Sequence, residues 1–119
     1  MKHILLYIII PLMLMASGTA MGQEKLKKIQ TEAFIVEGNC DMCKERIEEA
    51  AFIKGVRSAE WNKIAQTLTV IYSTKKADLE SIHKAVAKSG HDTEMMKATD
   101  EAYNKLAKCC QYRDKKDIH

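Results

Sequence analysis

The sequence predicts a small α+β domain with the element order β-α-β-β-α-β. Three observations carry this. The alternating stretch 67–72 (TLTVIY) is the clearest β-signal in the chain. Apolar residues recur at three- and four-residue spacing around Ile47 and again around Ile82, the mark of amphipathic helices. Gly55 and Gly90 follow those two stretches, where a left-handed glycine stops a helix.

The chain has 119 residues, a net charge of +3 and four cysteines. Lys2 and His3 precede an almost wholly apolar run, 4–16, and small residues gather at Ala16, Ser17, Gly18, Thr19, Ala20 and Gly22. This is the layout of a signal peptide spanning 1–22, with cleavage expected after Ala20 or Gly22, and so of a periplasmic protein. The apolar run is shorter than the roughly 20 residues of a spanning helix. No cysteine lies near the cleavage site to take a lipid. Residues 23–30 are a polar, basic lead-in. The remainder is one small domain with an appendage. Its positive charge is too weak and too evenly spread to argue for nucleic acid, and a monomer is expected.

Residues 31–37 read as the first strand, with Phe34 and Val36 on one face and Ala33 and Ile35 on the other. Helix one is expected over 41–53, capped by Asp41, with Ile47, Ala50 and Ala51 inward. The second strand spans 56–62 and holds Trp61. A turn at 63–66 leads to the third strand, which places Leu68, Val70 and Tyr72 on one face. Helix two covers 76–89, with Thr74 or Asp78 as cap, Leu79, Ile82, Ala85 and Val86 inward, and His83 half-exposed. A short fourth strand, 93–97, packs Met95 and Met96 into the core.

This order is the ferredoxin-like sandwich, two helices on one face of a four-stranded antiparallel sheet. Right-handed crossovers put strand one in the sheet centre, beside strands three and four. The domain is expected over 31–97. Residues 98–119 form an extension: a helix over 99–108 docked by Tyr103 and Tyr112, then Cys109-Cys110, then a flexible end.

The chemistry concentrates at Gly38-Asn39-Cys40-Asp41-Met42-Cys43. Two thiols three positions apart, at a strand-to-helix junction, sit where free N–H groups and the positive helix end favour a thiolate. Such a pair serves either as a soft-metal site or as a redox pair. A thiol-disulfide oxidoreductase of the thioredoxin kind places a cis-proline against its cysteines. The one proline here, Pro11, lies in the signal segment, and the element order differs. No Ser/His/Asp set, paired carboxylates or glycine-rich phosphate loop appears, so no enzyme is expected. Met42, between the two thiols, is expected to pack within the loop.

At this point the sequence resembles the heavy-metal-associated domain of copper chaperones, metal-pumping P-type ATPases and the periplasmic mercury-binding protein. The resemblance spans 31–97. It is carried by the strand into Gly38–Cys43, Ile47 four residues past the second cysteine, Gly55-Val56, Val70, Tyr72 and Gly90. It implies that Cys40 and Cys43 bind Cu(I), with Hg(II), Zn(II) or Cd(II) as other ions. It also implies a metal-transporting membrane protein or another metal-binding domain as partner. A mercuric-ion scavenger is the alternative of the same architecture. The family has methionine where this chain has Gly38, and glycine where it has Glu37. The missing methionine implies a loop with less support, and the place of the loop at one end of the sheet makes it an expected exposed site. His91 stands where the family holds an aromatic residue or lysine beside the metal. There it is either a tuning or third ligand, or a solvated loop residue.

Cys109 and Cys110 lie outside that pattern. A strand of five residues leads away by roughly 17 Å and a ten-residue helix returns roughly 15 Å, so either thiol can reach Cys40 and Cys43. The other readings are a disulfide, which export permits, and an independent soft-metal site. A four-cysteine zinc site fits adjacent cysteines poorly.

Overall fold

The computed structural model describes residues 28–113 and 118–119. The expected signal segment 1–22, most of the expected lead-in and 114–117 lie outside the described residues. Among the described residues, no helix is long and apolar enough to cross a membrane.

Strand β1 covers Ile29–Ile35, β2 Val56–Asn62 and β3 Thr67–Ser73. They form one antiparallel sheet in the order β1-β3-β2. Phe34 pairs with Leu68, and Trp61 pairs with Leu68 from the other side. The alternation of the sequence is the alternation of burial: Leu68, Val70 and Tyr72 are buried and their neighbours are not. Strand one begins two residues earlier than predicted, taking Ile29 and Gln30 from the lead-in.

Helix α1 (Asp41–Ala51) buries Ile47 and Ala51, and helix α2 (Leu79–Lys88) buries Ile82 and Val86. The Asp78 side chain caps α2 by accepting from Ser81 N at 2.7 Å. The cap of α1 is Cys40, with no side-chain hydrogen bond; Asp41 is the first helical residue. Gly55 (φ +98°) and Gly90 (φ +106°) are the two left-handed stops. A Cβ at Gly90 would lie 2.9 Å from Leu106 Cδ2, so the stop also lets the chain beyond the domain pack closely.

The fourth strand is reduced to a single antiparallel bridge, Val36 with Thr93. Glu37 N donates to Asp92 O, Glu94 N donates to Ile35 O, and the Glu94 carboxylate takes Ile35 N at 2.7 Å. Residues 92–94 thus flank β1 on the side away from β3. Local side-chain bonding ends the ladder there. Thr93 Oγ1 accepts from Met95 N and Met96 N, and Asp92 Oδ1 accepts from Ala98 N. Hydroxyl and carboxylate offer the backbone an alternative to the sheet, and the chain curls back. Met95 is consequently 58% exposed instead of packed in the core.

The predicted ten-residue helix of the extension is also shorter. Helix α3 covers Asp100–Asn104, capped by Thr99, and a 3-10 turn follows at Lys108–Cys110. His83 is buried, not half-exposed. Its ring stacks on Phe34 at 3.8 Å and its Nδ1 lies 2.7 Å from Thr93 Oγ1. That hydroxyl already accepts two amides, so its proton goes to Nδ1. Burial lowers the His83 pKa and keeps the ring neutral to receive it.

Candidate metal centre

The site forms where β1 runs into α1. Val36, Gly38, Asn39 and Cys40 are buried, and Cys43 lies in the first turn of α1. Cys40 Sγ is 3.1 Å from Cys43 Sγ. Cys110 comes back from the extension to lie 3.1 Å from Cys40 Sγ. The three sulfurs all lie within 4.8 Å of one another, the one such ligand group of cysteine, histidine and carboxylate side chains found among the described residues. All four cysteines are free thiols.

The extension is held to the domain by its last described turn. Arg113 forms a two-point pair with Asp92: Nε donates to Oδ2 at 3.1 Å and Nη2 to Oδ1 at 2.7 Å. Nη2 also donates to Ala98 O, and the guanidinium lies 4.3 Å over the Tyr103 ring. Burial alone would raise the Asp92 pKa. Arg113 and the Ala98 N–H outweigh it and hold the carboxyl below its ordinary value. Tyr112 O–H donates to Gly90 O at 2.9 Å and accepts from Asp92 N at 2.7 Å. The two tyrosines that were expected to dock the extension are both buried and meet edge-to-face at 5.3 Å. Cys110 sits two residues before Tyr112, so this clamp fixes its position.

The expected exposed loop is therefore a covered one. Cys40 is 5% exposed, and Cys43 and Cys110 are fully buried. Burial, with the neighbouring Cys40 and Cys110 sulfurs, pushes the Cys43 thiol up to about 12 despite its bond to Asn39. The helix end was expected to favour a thiolate at this position; desolvation wins instead. Cys43 Sγ–H points to Asn39 Oδ1 at 3.4 Å. An ion entering here must displace that proton.

Gly38 does not leave the loop unsupported. A Cβ there would lie 3.0 Å from Cη2 and Cζ2 of Trp61 and 3.1 Å from Cys43 Cβ. The indole of Trp61 fills the space under the loop. Its Nε1 donates to Val36 O at 2.9 Å, and its backbone is held from α1 by Glu48 and Lys44. The sequence signal was there in the pairing of a glycine with the chain's single tryptophan, but nothing local links positions 38 and 61.

Polar groups around the thiols are left open. Asn39 Nδ2, Arg46 Nη1 and His91 Nε2 are buried without a hydrogen-bond partner. Burial disfavours the Arg46 charge, but Cys110, Cys43 and Cys40 outweigh it and raise its pKa. Sequence reasoning missed Arg46; its place one turn beyond the cysteine pair on α1 was the available signal. His91 is fully buried, not a solvated loop residue, and is not in the sulfur cluster. Its Nδ1 donates to Glu37 O at 2.8 Å and its ring stacks with Tyr112 at 5.3 Å. Burial lowers its pKa to about 4, so the ring is neutral.

Cys109 faces outward. Its Sγ is 3.8 Å from Cys110 Sγ and 3.9 Å from Met42 Sδ. Met42, expected to pack within the loop, is 51% exposed. The described end of the chain also reaches the loop: His119 N donates to Asn39 O at 2.7 Å.

The comparisons with known proteins bear on the domain that carries Cys40 and Cys43. The CopZ metallochaperone superposes with a TM-score of 0.52 at 32% identity, over 54% of this chain and 98% of that one. The N-terminal domain of a potential copper-translocating P-type ATPase from Bacillus subtilis, solved in the Cu(I)-loaded state, gives 0.52 at 34% identity, over 55% and 84%. The copper-exporting P-type ATPase of Bacillus subtilis (strain 168) is 36% identical over 83 residues, 63% of this chain. The chain spans about a tenth of that relative's length. The sequence profile of the heavy-metal-associated domain matches residues 33–92, which contain Cys40 and Cys43, and the chain belongs to the heavy-metal-associated domain family.

Proposed function

We propose that this protein is an exported, non-catalytic carrier that binds one Cu(I) ion with Cys40, Cys43 and Cys110, and buffers it or passes it to a metal-transporting membrane protein. The observation that carries the reading is the convergence of three buried sulfurs within 4.8 Å. Soft thiolates select Cu(I), whereas structural zinc takes four ligands. Three thiolates around a monovalent ion carry a net negative charge. Arg46 and the N-terminus of α1 offset it, and the open Asn39 Nδ2 and Arg46 Nη1 are donors free to meet it. Residues 31–97 are the binding domain, 98–119 supply the third sulfur, and 1–22 direct export to the periplasm.

The test is an anaerobic titration of the reduced protein with Cu(I) against a competing chelator. One ion is bound per chain. Cys40→Ser and Cys43→Ser each abolish tight binding while the circular dichroism spectrum stays folded. Retained affinity in either variant refutes the assignment. A preference for Hg(II) over Cu(I) in parallel titrations would favour a scavenger.

A further inference from the structure

We propose that Met42 and Cys109 form an outer landing site for a soft ion, and that the ion passes from it through Cys110 into the buried thiols. This rests on the reading of those thiols as a soft-metal centre. The cluster itself is closed to a donor molecule: Cys40 is 5% exposed, and Cys43 and Cys110 are fully buried. Of the four cysteines, Cys109 alone is not buried. Beside it Met42, in the first turn of α1, is an exposed large apolar side chain at the mouth of the site.

The sulfurs make an unbroken run from surface to interior. Met42 Sδ is 3.9 Å from Cys109 Sγ. Cys109 Sγ is 3.8 Å from Cys110 Sγ, which is 3.1 Å from Cys40 Sγ, in turn 3.1 Å from Cys43 Sγ. A metal–sulfur bond is about 2.3 Å long, so one ion bridges two sulfurs up to about 4.6 Å apart. Every step is shorter than that. An ion can therefore bond to the next sulfur before it leaves the last. The 3-10 turn Lys108–Cys110 explains why adjacent cysteines are useful here. It turns one thiol outward and the next inward, so the two handle the ion in sequence.

The steps balance without a redox partner, and Cu(I) stays Cu(I). A donor–copper bond breaks as copper bonds to Met42 Sδ and Cys109 Sγ, and the Cys109 thiol proton goes to solvent. Copper then bonds to Cys110 Sγ, and the Cys110 proton passes to the Cys109 sulfur as that sulfur lets go. Bonds to Cys40 and Cys43 follow, with two further protons released to solvent. Thioether and thiolate together are ligands that suit Cu(I).

The experiment compares rate with equilibrium. Cu(I) is supplied as its bicinchoninate complex to the reduced protein, and stopped-flow absorbance follows loss of the complex. Met42→Leu, Cys109→Ser and the double variant are compared with the parent. Met42 is exposed and Cys109 is partly buried against the core, so circular dichroism and urea midpoints of each variant verify that the fold is retained. The double variant should take up copper at least about tenfold more slowly, with its dissociation constant within about threefold of the parent. Release to excess bicinchoninate should slow by the same factor. Uptake rates within about twofold of the parent overturn the proposal. So does a dissociation constant that weakens in step with the rate, because Cys109 would then be a ligand of the final site. A parent protein that takes no copper at all fails differently: it refutes the soft-metal reading on which the proposal stands.

Discussion

Cys110 Sγ lies 3.1 Å from Cys40 Sγ although 70 residues separate them along the chain. Holding them together is the work of Arg113 and Tyr112, which bind Asp92 and Gly90 just beyond helix α2. The residues just before the expected fourth strand present a carboxylate, Asp92, and a carbonyl, Gly90, to the extension. The fold gives up part of a sheet edge and gains a third sulfur at its metal loop.

Breaking the clamp should uncouple the extension. Arg113→Ala leaves the buried Asp92 without its cation, and loss of such a partner costs about 3 kcal/mol. The midpoint of urea unfolding should fall accordingly. Cys110 should also become reactive: alkylation of the folded, reduced variant should modify two thiols quickly, Cys109 and Cys110, where the parent gives one.

Gly38→Met installs the residue usual in the family and should be destabilising here, by about 1–3 kcal/mol. The space is already filled by Trp61, whose ring atoms lie 3.0 Å from the position of a Cβ. Trp61 is the only tryptophan, so its fluorescence reports both the unfolding midpoint and any displacement of the ring. An unchanged midpoint would mean that the loop rearranges freely.

Acid should destabilise the metal-free protein through His91. Its pKa falls from 6.5 to about 4 on folding. The unfolded chain therefore binds the proton first as pH drops. The stability contributed by the neutral, buried ring is complete above about 6.5 and is lost between there and 4, amounting to about 3 kcal/mol. Urea midpoints measured between pH 7 and pH 4 check this, and His91→Gln should flatten the profile. The Asp92–Arg113 pair adds a further loss below the ordinary carboxylate pKa of 3.8.

Copper binding should release protons. With the Cys43 thiol pushed up to about 12, Cys43 enters the reaction protonated at neutral pH. Affinity should rise with pH, and weakly buffered titrations should show acidification on each addition of Cu(I). A pH-independent affinity would argue against thiolate ligands.

Much of this was legible in the sequence. Helix and strand periods, the glycine stops and the cysteine spacing are local signals, and they located both helices and all three strands. What was hidden depends on partners far apart in the chain. Thr93 looks like the start of a strand until Met96 N folds back onto its hydroxyl and Ala98 N onto the neighbouring Asp92 carboxylate. His83 looks half-exposed on its helix, because Phe34 and Thr93 cover it from elsewhere. Gly38 looks like a missing support until Trp61 is placed beneath it. The route expected for the extension is a five-residue strand and a ten-residue returning helix. The extension arrives by a tight turn, a five-residue helix and a 3-10 turn.

The central claim is that Cys110 completes a three-sulfur copper centre, and the direct measurement is X-ray absorption at the copper edge of the protein loaded with one Cu(I). The account predicts three sulfur neighbours in the parent and two in Cys110→Ser, with affinity in the variant lower by about tenfold or more, roughly 1.4 kcal/mol. Two sulfur neighbours in the parent, unchanged in Cys110→Ser, would contradict it.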